Sequence, residues 1–296
     1  MPRFYLLGFL LLAGLRPCVA QDLLDLLNEE IKKEEKPEYA TATFKATRLI
    51  NGHSIETLAG GVLDVRISHR FGYLNAGIEE FFGLDQATTR LALEYGITNR
   101  LMVGIGRSSW QKEVDGFVKY KLLRQQSKGM PVTVTLLSAM SMKTIPYEDP
   151  NRENYFSSRL YYAFQGLIAR KFTESLSLQL MPSLVHYNLA PAPNMNNDVI
   201  SLGVGGRLKL TKRVSLNTEY YYQLPSTQYA GTTNAFGIGF DVETGGHVFQ
   251  LYFTNATGMT ERTFISETTG NFFQGDIHFG FHLSRVFTIR DPRKKQ

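Results

Sequence analysis

The run Val62-Leu63-Asp64-Val65-Arg66-Ile67-Ser68-His69-Arg70-Phe71 puts charged or hydroxyl side chains at 64, 66, 68 and 70. Apolar side chains hold 63, 65, 67 and 71 between and beyond them. An extended chain turns successive side chains to opposite faces, so this stretch reads as a strand with one greasy side and one strongly polar side. The same period of two recurs in Ser175 to Leu180, Asn234 to Glu243 and Asp276 to His282. It persists from Ala40 to Phe287.

The links between strands carry a second regularity. Gly96-Ile97-Thr98-Asn99-Arg100-Leu101, Lys171-Phe172-Thr173-Glu174-Ser175-Leu176 and Lys209-Leu210-Thr211-Lys212-Arg213-Val214 are nearly one link used three times. Thr244-Gly245-Gly246 is a fourth short link. Long connections near residues 143–156, 188–198, 224–234 and 255–275 alternate with them. Short turns at one rim and long loops at the other are the pattern of a transmembrane β-barrel.

Strands are expected near residues 62–71, 86–96, 101–109, 114–124, 131–142, 157–171, 176–188, 199–210, 214–224, 235–243, 247–255 and 276–287. That makes about twelve, and an even count suits a closed antiparallel barrel. Ala40 to Ile50 also alternates, but a thirteenth strand breaks the parity. This segment is therefore expected to be periplasmic or an inserted plug.

Alternation alone also fits a soluble sandwich, whose greasy faces cover one another. Three features favour lipid as the cover. Tyr155, Tyr161, Tyr162, Tyr187, Tyr220, Tyr221 and Tyr222 lie near strand ends, where an interfacial girdle belongs. Many strands exceed the ~5–6 residues usual in soluble sheets. The last strand ends on an aromatic, Phe287. The fold class expected is all-β, a transmembrane antiparallel β-barrel with a short N-terminal periplasmic helix.

Met1 to Arg3 gives a basic start and Phe4 to Leu15 an apolar run, followed by Arg16-Pro17 and the small residues Cys18-Val19-Ala20. That order reads as a removable export signal. The apolar run is short of the ~20 residues a membrane helix needs. Leu23, Leu24, Leu27 and Ile31 recur at helical spacing until Pro37. The division expected is a signal peptide over 1–20, a helix and extended segment over 21–60, the barrel over 61–288 and a basic tail over 289–296.

Composition narrows the chemistry. The 296 residues carry 32 Lys plus Arg against 27 Asp plus Glu. Without Arg3 and Arg16 the balance falls near +3, and no clustered cationic surface suggests nucleic acid. Cys18, the only cysteine, falls in the signal, so disulfides and thiol chemistry are not expected of the mature chain.

Several longer strings look familiar. They are Thr43 to Glu56, Ile67 to Gly72, Asp115 to Lys121, Asp241 to Gln250 and Gly275 to Phe281. Together they resemble a Bacteroidota-type family of outer-membrane β-barrels of unknown function, over roughly residues 40–288. The resemblance implies a barrel in the outer membrane and supplies no catalytic or ligand residues.

The polar faces define the candidate lumen. Arg66, Arg70, Arg90, Lys119, Lys121, Arg159, Arg207 and Lys209 face Asp64, Glu94, Glu219, Asp241 and Glu243, with His278 and His282 on the last strand. This excess of cations suits a water-filled path with mild anion preference. The same charges, paired across the lumen, would fill it, and twelve strands fall between solid and conducting barrels. His278 and His282 lie ~13 Å apart on a strand, too far to share a metal. His53-Ser54 with Glu56 is the nearest approach to a nucleophile–base–acid set. Neighbours on an extended chain face opposite ways, and Asn51-Gly52 reads as an ordinary turn.

A passive channel or binding barrel for small polar or anionic solutes is the function expected, with outer-membrane lipid around it and no cofactor, metal or nucleic acid. A docking barrel with a filled lumen, meeting a periplasmic protein through residues 21–39, is one alternative. A lipid-modifying enzyme is the other.

Overall fold

The computed structural model describes residues 23–26, 38–147, 151–192, 194–244 and 247–290. The expected export signal lies outside them, as does most of the expected helix over 22–36. Leu23 to Leu26 is helical and exposed.

Twelve antiparallel strands close into one barrel in which each pairs with its neighbours in sequence. They are β1 (Val62–Tyr73), β2 (Ala87–Gly96), β3 (Leu101–Ser108), β4 (Val114–Leu123), β5 (Thr133–Met142) and β6 (Leu160–Lys171). The second half comprises β7 (Leu176–Tyr187), β8 (Asp198–Lys209), β9 (Val214–Gln223), β10 (Ala235–Thr244), β11 (His247–Thr254) and β12 (His278–Thr288). Closure is made by β1 against β12, with Leu63 opposite Phe287 and His69 opposite Phe281.

The repeated short link has one physical basis. In each copy a threonine hydroxyl accepts the backbone N–H groups two and three residues on, a local turn motif of hydroxyl side chains. Thr98 takes those of Arg100 and Leu101, Thr173 those of Ser175 and Leu176, and Thr211 those of Arg213 and Val214, all at 3.0–3.2 Å.

Every one of the twelve strands exposes large apolar side chains outward. Leu91 is 58% exposed, Ile105 63% and Leu180 47%, and Ile67, Val118, Leu136, Phe164, Val204, Tyr222, Phe240, Leu251 and Val286 continue the belt. The sheet is closed on itself, so no second sheet covers this surface. A girdle of that size in water is far beyond the few hundred Å² tolerated on soluble monomers. Hydrocarbon is the medium that suits it.

Not every tyrosine joins the girdle. Tyr161, Tyr187 and Tyr221 point inward and are buried. Tyr221 meets Phe264 and Tyr187 meets Tyr229 edge to face inside the barrel. Their strand-end positions suited an interface, but they share the inner face with Ala163, Val185 and Glu219, two residues away and buried.

Residues 40–59 do not stand apart from the barrel: Tyr39–Gln296 is one compact unit. The compact unit thus begins before residue 60, and of the two expectations for Ala40 to Ile50 it is the inserted plug that matches. Thr43 to Ile55 lies inside the barrel, with Phe44, Leu49, Ile50 and Ile55 buried. The connection after β11 also folds inward, and its short helix Glu261–Ser266 is buried along its whole length.

Candidate functional site

The lumen is occupied from both ends. From the short-turn side, residues 47–54 form a narrow hairpin: Ser54 N–H donates to the Thr47 carbonyl, Leu49 N–H to that of Gly52, and Arg48 pairs with His53. From the long-loop side comes Asn255 to Thr268, ending in the helix just described. Its start is capped by Thr260, which exchanges hydrogen bonds with Thr263.

Wall side chains hold the hairpin mainly by its backbone. Glu219 accepts N–H groups from Ile50, Asn51 and Gly52 at 3.2, 2.7 and 3.1 Å. Gln179 grips both sides of residue 54, donating to the His53 carbonyl and accepting Ile55 N–H. Gln250 donates to the Arg48 and Leu49 carbonyls, Lys119 to that of Thr47, Thr135 to that of Ile55 and Arg207 to those of Ala42 and Thr43.

The charged centre joins wall, hairpin and loop. Arg66 donates to Asp64 at 2.9 Å and to Thr47, and lies 3.6 Å from Glu94. Thr47 in turn donates to Glu94. Arg48 reaches the loop carboxylate Glu261 at 3.2 Å. Arg70 binds the Ala256 and Gly258 carbonyls and the Asn51 side chain, so one guanidinium ties the loop to the hairpin tip. Arg90 makes a two-point pair with Asp115.

Sequence reading and structure part at several positions. Arg66, Arg70, Arg90, Lys119, Arg207, Asp64, Glu94, Glu219, Asp241, His278 and His282 are buried on the inner side. Arg159 instead lies in the 3-10 turn before β6, at the long-loop rim, stacked on Tyr147. Glu243 is 47% exposed at the opposite rim, paired with Lys45. Lys121 and Lys209 are half-buried near that same rim, and Lys121 pairs with Glu56 at 3.5 Å. Asp115 and Glu113 were missed, although Asp115 shares the face of Lys119 by the same period of two. Arg48, Glu261 and Arg262 were missed because they come from segments outside the wall.

The expected cation excess does not survive at the centre. Five buried strand cations, Arg66, Arg70, Arg90, Lys119 and Arg207, are matched in number by five buried strand anions, Asp64, Glu94, Asp115, Glu219 and Asp241. These groups are not free to line an open path in this arrangement.

His53 meets the Phe117 ring edge to face, with Nε2 3.3 Å from Glu261. Burial first, then Arg48, lowers its pKa to about 3, so the ring is neutral at ordinary pH. Burial alone would raise the Glu261 carboxyl, but Arg48 and the hydrogen bond with His53 together outweigh it and hold that group well below the ordinary carboxylate range.

Hydrolytic groupings are closed to substrate. Ser54 donates to the Ala46 carbonyl, and Glu56 accepts from Phe44 N–H, so the His53-Ser54-Glu56 string is a turn. Ser68 and His282 do meet at 2.8 Å, but the other ring nitrogen donates to the Ile50 carbonyl and both side chains are buried under the hairpin. His278 bonds separately to Thr257 and to the Phe71 carbonyl. Among the described residues no cluster of His, Cys, Asp and Glu has metal-binding geometry.

A family profile described as membrane bound beta barrel domain (DUF5777) matches residues 44–287. The curated proteins offer no match. Solved structures include the NanC porin, 12% identical over 76% of this chain and 98% of that one, with a TM-score of 0.48. The COG4313 outer membrane channel from Pseudomonas putida F1 is 14% identical over 79% and 98%, TM-score 0.48. The KdgM porin is 9% identical over 76% and 99%, TM-score 0.46. At such identities and scores these likenesses say nothing about solutes or chemistry.

Proposed function

The chain belongs to the DUF5777 family of membrane bound beta barrel domains, and from that premise we propose that it is an outer-membrane channel for small polar or anionic solutes, closed here by its own hairpin and loop. The Bacteroidota-type character of its distinctive strings is part of this reading, as is the absence of an enzymatic role.

One observation carries the proposal: the wall binds its occupant mostly through backbone carbonyl and N–H groups. Gln179, Gln250, Glu219, Lys119, Thr135 and His282 all bond to the backbone of residues 47–55. Water offers the same donors and acceptors, so a hairpin that withdraws leaves a wall that hydrates. A merely structural filling needs none of this, because replacing buried ion pairs by apolar residues is often neutral or stabilising. Cations at the long-loop rim, Arg152 and Arg159, favour anions at that entrance.

Closure is a two-piece seal. Arg48 bonds the loop carboxylate Glu261 directly, and the wall residue Arg70 joins Asn51 to the Ala256 and Gly258 carbonyls, so displacing the hairpin removes the Arg48–Glu261 contact and the hairpin side of the Arg70 bridge. Residues 21–39, next in the chain to the hairpin, are the place where a periplasmic protein would act on it.

Single-channel recording of the refolded mature protein in a planar bilayer tests the reading. Brief conductance steps separated by long closures are expected, with reversal potentials on the anion side. The completeness of the seal favours a second reading, a permanently filled docking barrel. It gains if no steps occur at high protein load.

A further inference from the structure

Above the lumenal helix, the long-loop rim encloses a cavity of about 490 Å³. That is within the range of small-ligand sites. Its floor is the end of the helix, Ser266 and Glu267, and its inner wall is formed by Tyr161, Tyr187 and Tyr229. All three tyrosines are buried, and Tyr187 meets the other two edge to face.

The hydroxyls of two of these rings are already committed. Tyr187 bonds to Ser266 at 2.6 Å and to Glu267 at 3.1 Å, and Tyr229 donates to the Asn196 carbonyl at 2.7 Å. What they offer a ligand is ring surface. The apolar side chains of Leu189 and Met195 extend that surface across the cavity.

The charges point one way. Among the described lining residues Glu267 is the only carboxylate, and it is turned toward Arg262, the Tyr187 hydroxyl and the Gln111 amide, while Lys143, Arg152 and Arg159 are the lining cations. Arg159 is tethered to neutral groups, the Lys143 and Ile145 carbonyls and the Tyr147 ring, and among the described residues it pairs with no carboxylate. Arg152 lines the same cavity from the loop before β6. Planar guanidinium forks suit carboxylates, and aromatic faces suit the C–H surface of a ring.

We propose that this vestibule binds small ring-bearing carboxylates, with the ring against the tyrosine cluster and the carboxylate on Arg152 and Arg159. The proposal deepens the channel reading by naming a solute class at its outer entrance, but the binding step does not depend on conduction.

Calorimetric titration of the full mature chain, refolded in detergent micelles, tests it with benzoate and galacturonate as probes. Acetate and benzyl alcohol serve as the acid without a ring and the ring without an acid. Saturable binding of a ring acid is expected, with both controls at least about tenfold weaker. Arg152→Gln should weaken it severalfold and Arg152→Glu about tenfold, in protein whose strand content by circular dichroism is unchanged. Tyr147→Leu, which removes the platform under Arg159, gives an independent loss.

Equal binding of acetate overturns the proposal, as does absence of saturable binding by either ring acid. Insensitivity of a folded barrel to Arg152→Glu also overturns it. Binding without conductance removes the channel and keeps the site. Conductance without binding does the reverse.

Discussion

The carboxylate of Glu219, on the inner face of β9, accepts the backbone N–H of Asn51 at 2.7 Å. The N–H groups of Ile50 and Gly52 converge on the same carboxylate, which makes the hairpin tip a small anion nest filled by a wall side chain. Glu219 is the latch of the closed state.

Glu219→Gln removes the charge and turns an amide NH2 toward N–H donors. Hydrogen bonds to a charged acceptor contribute about 1.5–3 kcal/mol each. The variant should raise open probability by about tenfold or more in single-channel recording, with conductance per step unchanged. A closed fraction equal to that of wild type would show that the nest does not govern opening.

Gly52→Ala tests the same seat without altering charge. A Cβ at Gly52 would run into the hydroxyl of Tyr221, whose ring is buried and bonded to Met181. Overfilling of this kind costs about 1–3 kcal/mol. Amide exchange of residues 47–55 should accelerate while the strands stay protected; uniform protection would contradict the tight seat.

Acid should open the seal. Seated, His53 titrates at about 3, whereas a released hairpin would return it toward 6.5. Between those values the released state binds a proton that the seated state refuses, so closure is fully present above 6.5 and weakens as pH falls. The effect reaches up to about tenfold per pH unit. Glu261 acts in the same direction, because its lowered pKa contributes stability that is lost as pH falls below the ordinary carboxylate range. The charges facing His53 are Arg48, Lys119 and Glu261, with Glu94 beyond them. Open probability measured from pH 7 to pH 5 should rise, and His53→Asn should flatten the rise. A flat wild-type profile would refute this.

Depth in the membrane should set the cost of charge on the outer face. Leu180 lies mid-strand in β7 and Leu210 beside a short turn, and they are similarly exposed. Leu180→Arg should cost about 2–4 kcal/mol in vesicle-refolded protein and Leu210→Arg about 0–1 kcal/mol. Equal costs, read from denaturant unfolding, would argue against hydrocarbon around this surface.

The wall was legible in the sequence because a strand in lipid obeys a local rule. The period of two placed all twelve strands within about three residues of their observed ends, and the Thr98, Thr173 and Thr211 links fixed which rim was which. The filling was not legible. Arg48–Glu261 and Ile50–Glu219 join residues more than 160 positions apart, and no local pattern announces such partners. Asn255 to Thr268 looked like an external loop because its small polar residues suit water, and they suit a polar lumen equally. Arg159 was misplaced because the alternation of β6 was extended into the turn that precedes it.

The most direct test of the closed-channel account is planar-bilayer recording of a variant lacking residues 40–58, checked for an intact barrel by circular dichroism. Removing the hairpin empties its half of the lumen and takes away the Arg48–Glu261 link to the 255–268 loop, which Arg70, Glu113 and Tyr187 of the barrel then hold alone. The account predicts sustained conductance where the full chain shows brief openings. A folded, correctly inserted variant that stays silent would contradict it.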